Sequence, residues 1–246
     1  MGLRRLGELE WLQPEPDLDA CAAAFDTYPD AVRTLAGSEA AGREVAAMLG
    51  VGGGLSEAAR VCWEDLCLLL PDSDGGHRLV AGAIAFPTDW RLGEKMGLPL
   101  TAIHAPIHGY AEQLAAGVDH FVRTLRPGPI WGRANWFVVP SAAWRYLPDD
   151  DPAERFAHVT GDNAGRTLFV RCERQTLRRL PETGAVLFTI GIHVARLDSL
   201  GLDAVARVAR SVAAVQAGEH ERRAAPFYAG ALHGYARARE EMEPAA

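Results

Sequence analysis

Five apolar runs of strand length, two before a helical middle and three after it, limit what this chain can fold into more than any other feature. "AARVCWEDLCLLLP" (58–71) and "HRLVAGAIAFP" (77–87) are separated by "DSDGG", which has the spacing and composition of a hairpin turn. "IWGRANWFVVP" (130–140), "RTLFVRCERQT" (166–176) and "GAVLFTIGIHVARL" (184–197) follow. With no repeated crossover helices between the runs, an antiparallel α+β layout of about five strands is expected. Helix-period apolar positions fill the first sixty residues, where Ser38 stands as an N-cap, and the two C-terminal segments 199–218 and 225–242. The best helix of the middle region is expected from about Tyr110 to Leu125, with Pro106 near its start. The chain therefore reads as one domain over 1–246, with a core at about 58–197 and helical extensions at 1–57 and 198–246.

A chain of 246 residues that is 48% hydrophobic can bury a core without disulfides. Cys21, Cys62, Cys67 and Cys172 have no Cys-x-x-Cys spacing and read as free thiols of a reducing cytoplasm. A net charge of −7 with no basic stripe argues against a nucleic-acid partner. No stretch reaches the roughly 18–20 apolar residues that span a bilayer, so no membrane partner is expected and the location is expected to be cytoplasmic. "GVGGG" (50–54) has neither a preceding strand nor a following Lys-Ser/Thr, and reads as a link between helices.

Three clusters can carry chemistry. His104 and His108 are four apart, but Pro106 between them opposes the regular helix that would aim both imidazoles at one metal, so a single ligand is easier to build than a pair. Along 130–140, alternation puts Trp131, Arg133 and Asn135 on one face and Trp136 and Val138 on the other, so that Arg133 stands in a solvent-facing row or in a pocket wall that meets an anion. In "RCERQTLRRLPETGAVLFTI" (171–190), Glu173 sits among Arg171, Arg174, Arg178 and Arg179. Leu168, Val170 and Cys172 make one face, which Arg174 continues, while Arg171, Glu173 and Gln175 make the other. An ion-pair brace and a functional site both fit this pattern. If the apolar face is the functional one, Glu173 reaches it only through a bulge or bend.

Taken together, "GLPLTAIHAPIHGYAEQL", "GRANW" and "RCERQTLRRLPETGAVLFTI", with "EDLCLLL" (64–70) and "AFPTDW" (85–90) in order upstream, resemble the family of haem-dependent oxidative N-demethylase alpha subunits over roughly residues 60–195. The resemblance implies a PAS-like core that binds b-type haem and uses O2 to oxidise a small alkylamine such as dimethylamine. Electrons would come from NADPH through partner subunits carrying FMN and a 2Fe-2S centre. It implies His104 as the axial haem ligand, Arg133, Trp136 and Arg178 as cofactor-binding residues, and Glu173 and Arg174 in catalysis, with Glu173 pairing an alkylammonium. His108 stands where the family usually has proline, which makes it a further catalytic candidate and leaves open a different amine-containing substrate. A haem-based binding or gas-sensing protein without turnover is the alternative, and self-association is left open.

Overall fold

The computed structural model describes residues 2–14 and 17–242. Seven strands form one antiparallel sheet: β1 (Arg4–Leu6), β2 (Val32–Thr34), β3 (Asp65–Pro71), β4 (His77–Ala83), β5 (Ile130–Val139), β6 (Phe169–Arg179) and β7 (Val186–Arg196), in the order β1-β5-β6-β7-β3-β4-β2. The five expected runs are the five inner strands. The two additional strands are edge strands of three residues each, too short to show alternation, and both lie in the segment expected to be wholly helical. Backbone pairing places Arg4 opposite Gly132 and Val32 opposite Ala83. A side chain at position 132 would meet Leu6 Cδ1 at 2.5 Å, so glycine is what lets β1 lie this close.

Among the described residues there are also twelve α-helices, besides four 3-10 turns of three residues each. α1 (Leu18–Thr27), α2 (Glu39–Met48) and α3 (Leu55–Ala59) precede the hairpin, and α4 (Leu92–Lys95), α5 (Leu100–Ile103), α6 (Tyr110–Gln113) and α7 (Ala115–Thr124) join β4 to β5. α8 (Pro152–Arg155) and α9 (Ala164–Thr167) join β5 to β6, and α10 (Leu202–Ala213), α11 (Ala217–Arg222) and α12 (Ala229–Met242) follow β7. Asp17 caps α1 by accepting from the Ala20 N–H at 3.0 Å. Ser38 does precede α2, but its hydroxyl donates to the Leu35 carbonyl at 2.7 Å and so makes no N-cap bond. The helix expected from Tyr110 to Leu125 is broken at Leu114, which separates α6 from α7. The first of the five expected runs becomes strand at Asp65 and not near residue 58, because Leu55–Ala59 is helical. There the buried Asp65 carboxylate accepts from the Ala85 N–H at 2.5 Å and the Phe86 N–H at 3.2 Å, tying the end of the hairpin to its start.

The chain divides into two compact units interleaved in sequence. The first holds residues 1–135, 145–147 and 173–192, and the second holds 136–144, 148–172 and 193–246, so β5, β6 and β7 each run from one into the other. In the first unit, Cys67, Leu69, Leu79, Leu100, Val122 and Val186 form a core against which Ile103, Phe121, Trp131 and Leu177 pack. In the second, Leu168, Val170, Leu197, Val205, Val212 and Leu232 do so, with Phe156 and Tyr228 ring to ring at 5.1 Å. Val205, Ala209 and Val212 recur at helical spacing, and each fully buried aliphatic chain such as Val205 or Leu232 contributes roughly 2 kcal/mol.

Candidate functional site

The connection between β4 and β5 brings His104 to one face of the first unit's sheet. Pro99 precedes α5 and Pro106 follows it, so the helix lasts one turn and His104 becomes its C-cap, at φ −96° and ψ 7°. Nδ1 lies 2.8 Å from the Leu100 carbonyl oxygen. A carbonyl only accepts, so Nδ1 carries the proton and the neutral ring keeps its lone pair on Nε2, the arrangement a metal-ligating imidazole needs. Gly109, at φ +69°, turns the chain into α6 and sets the Tyr110 ring on the imidazole, with centroids 4.6 Å apart and planes 20° apart. The Tyr110 hydroxyl is buried and has no hydrogen-bond partner among the described residues.

Electrostatics favour the neutral form of both rings. Burial pulls the His104 pKa below the ordinary 6.5 and the charges of Arg133 and Lys95 lower it further, against the Leu100 hydrogen bond and Asp119, which raise it. Burial first and the Asp119 charge second push Tyr110 up to about 12. Asp119, on α7, thus lies within electrostatic reach of both rings.

The strands supply the polar row. Arg133 Nε donates to Gln175 Oε1 at 2.8 Å, and Gln175 Nε2 donates to Glu173 Oε2 at 2.9 Å. Leu177, next on the same face of β6, packs in the cluster that contains Leu100, Ile103 and Trp131, and Trp131 meets Phe121 edge to face at 5.8 Å. Glu173 therefore reaches the His104 face by regular alternation, and the expected bulge is not needed. Its hydrogen-bond partner is Gln175 and not one of the neighbouring arginines, because alternation turns Arg174 away.

The other candidates lie elsewhere. On the opposite face of β6, Arg174 Nη1 donates to the Trp11 carbonyl at 2.9 Å and stands 3.8 Å from Glu64, while Arg178 Nη1 donates to Glu8 at 2.7 Å and lies over the Trp11 ring at 4.3 Å. Trp136 belongs to the second unit, packs against its core, and accepts from Arg223 through its carbonyl at 2.8 Å. His108 is exposed in the turn between α5 and α6. Arg171, fully buried, donates to the carbonyls of Ala143 at 3.0 Å and Trp144 at 2.5 Å, and Arg179 donates to those of Leu125, Val122 and Gly184, so these two brace the fold. The sequence reading missed Tyr110 as a partner of the imidazole and missed Asp119 altogether. Asp119 is fifteen residues from His104 on a separate helix, and no spacing rule connects them.

Among the described residues no group of three or more His, Cys, Asp or Glu side chains can hold a bare metal ion. A single oriented imidazole, beside the half-buried rings of Trp131 and Phe121 and the Arg133 cation, suits a metal that arrives with its other ligands, as in a planar metallocofactor. The unpartnered Tyr110 hydroxyl and the free Nε2 fit such a group. One imidazole held in this way, on an antiparallel α+β scaffold, could take a single ligand position of such a group. Residues 52–228 match the family described as haem-dependent oxidative N-demethylase, alpha subunit-like, and the chain belongs to that family.

Proposed function

We propose that this chain is the haem-binding subunit of an oxidative N-demethylase acting on a small alkylamine such as dimethylamine, with O2 as oxidant and electrons from a separate reductase. The observation that carries the reading is the oriented His104 imidazole, Nδ1 tied to Leu100 and Nε2 free, inside the span that matches the family. The family description supports haem dependence, and its words "alpha subunit-like" support partner subunits. NADPH, FMN and a 2Fe-2S centre belong to those partners in this reading. The strand order β5-β6-β7-β3-β4, in which the last strand returns beside the first, supports a PAS-like description of the core. The cysteines lack a Cys-x-x-Cys-His attachment motif, which favours b-type haem, and free thiols suit a cytoplasmic location.

His104 would hold the haem, and Arg133 would meet a propionate. Bound haem supplies the activation of O2. The chain's own groups do the rest. Glu173 binds the protonated amine through the oxygen that Gln175 leaves unengaged, Gln175 and Arg133 hold that carboxylate in place, and Trp131 and Phe121 keep water from the amine. Removal of hydrogen from the carbon next to nitrogen, with hydroxylation there, gives a carbinolamine that collapses to an aldehyde and the demethylated amine. The test is titration of the purified chain with hemin, then with dimethylamine. A Soret band that shifts with amine, and formaldehyde release with a surrogate reductant and O2, are expected. A haem complex that binds O2 or carbon monoxide but turns over no amine would leave the ligand-binding alternative.

A further inference from the structure

We infer that Tyr110 is a positioning residue for His104: its ring, not its hydroxyl, fixes the plane of the imidazole and so the direction of Nε2. The significance of this for cofactor binding rests on the function proposed above, but the inference itself concerns only the chain's own side chains. A histidine at the end of a one-turn helix has freedom about both side-chain torsions unless something holds it. Two contacts hold this one. The hydrogen bond from Nδ1 to the Leu100 carbonyl at 2.8 Å constrains one edge of the ring, and a single bond still permits rotation about its own axis. The Tyr110 face, 4.6 Å away and inclined by 20°, removes that rotation. The two contacts together leave Nε2 with one direction.

The hydroxyl argues for the ring. It is buried with the rest of Tyr110, which is 4% exposed, and it meets no partner among the described residues. An unpaired buried hydroxyl opposes folding. Inside the chain, the part of Tyr110 that does useful work is therefore its aromatic face.

The experiment uses the full chain without haem, labelled with 15N-histidine, and reads the tautomer and ring-proton shifts of His104 from long-range proton–nitrogen spectra. The wild type is expected to show the Nδ1–H tautomer, with ring protons upfield of random coil from the stacked tyrosine. Tyr110→Phe should keep both. Tyr110→Leu should mix the tautomers and return the ring protons toward random coil. A Tyr110→Leu spectrum identical to that of the wild type would overturn the inference. So would random-coil shifts for the His104 ring protons in the wild type, a measurement that stands even if the leucine variant does not fold. Hemin titration of the same samples separates this from the functional reading. If the wild type shows the locked tautomer but takes up no hemin, Tyr110 still positions His104 and the haem assignment fails.

Discussion

The two faces of β6 within the first unit carry residues of the same kinds and put them to different uses. On one face Glu173 and Gln175 are joined to Arg133 in a hydrogen-bonded row that shares its surroundings with His104. On the other, Arg174 and Arg178 hold down the segment around Trp11, one through a backbone carbonyl and one through Glu8 and the indole ring. The first face leaves a carboxylate oxygen and an imidazole nitrogen unengaged, whereas the second spends its cations on the protein itself. Charge density therefore does not separate a site from a brace. What separates them is where the cations go: Arg174 and Arg178 to the segment around Trp11, Arg133 to a side-chain amide on the face of the imidazole.

This contrast breaks first at His104. His104→Ala is expected to abolish or grossly shift the Soret band formed with hemin, while Arg174→Ala, on the other face, leaves the band in place. An unchanged band in the His104 variant would move the ligand role to another residue, with His108 the first to try. Arg174→Ala should instead cost stability, read as a lower urea midpoint, because it removes the cation beside buried Glu64. The loss should be about 2 kcal/mol, below the roughly 3–5 kcal/mol of a fully buried pair, since the Arg174 side chain is 27% exposed. Glu173→Gln tests the open face. It should spare hemin binding and weaken the amine-induced spectral change roughly tenfold, about 1.4 kcal/mol. An equal response in wild type and variant would show that Glu173 does not touch the amine.

Much of this contrast was legible in the sequence, and the part that was not has a physical cause. The five inner strands announce themselves because each is long enough to show its apolar pattern, whereas β1 and β2, at three residues each, are set by the edges they pair with. Pro106 correctly barred a two-histidine helix face. Alternation along β6 was read from Leu168 to Cys172, where the apolar face packs in the second unit's core, and extended to Arg174. Within the first unit the cluster that includes His104's helix packs on the face of Leu177, which Glu173 shares by alternation, and so Glu173 needs no bulge. The partnership of Tyr110 with His104 was hidden because it depends on a turn at Gly109, not on a period.

The smallest effect expected lies on the braced face, at Glu64. Its Oε1 accepts from the Gln13 N–H at 2.7 Å, while Oε2 is buried without a partner among the described residues. Burial is the main cause that raises its pKa above 4.5, and the bond from Gln13 and the charge of Arg174 offset this only in part. A folded-state pKa above the unfolded value means that the folded chain holds the proton more tightly. The stability this contributes is full below about pH 4.5 and is lost as the pH rises through the folded pKa. Glu64→Gln keeps the acceptor for Gln13 and removes the titration. Relative to the wild type, the variant should therefore gain stability as the pH rises above about 4.5 and level off once the pH passes the folded pKa, measured as the difference in urea midpoints at each pH. A difference that stays flat across that range would show Glu64 ionising as an ordinary carboxylate. The Arg174 charge and the Gln13 bond would then offset the burial of Glu64 in full.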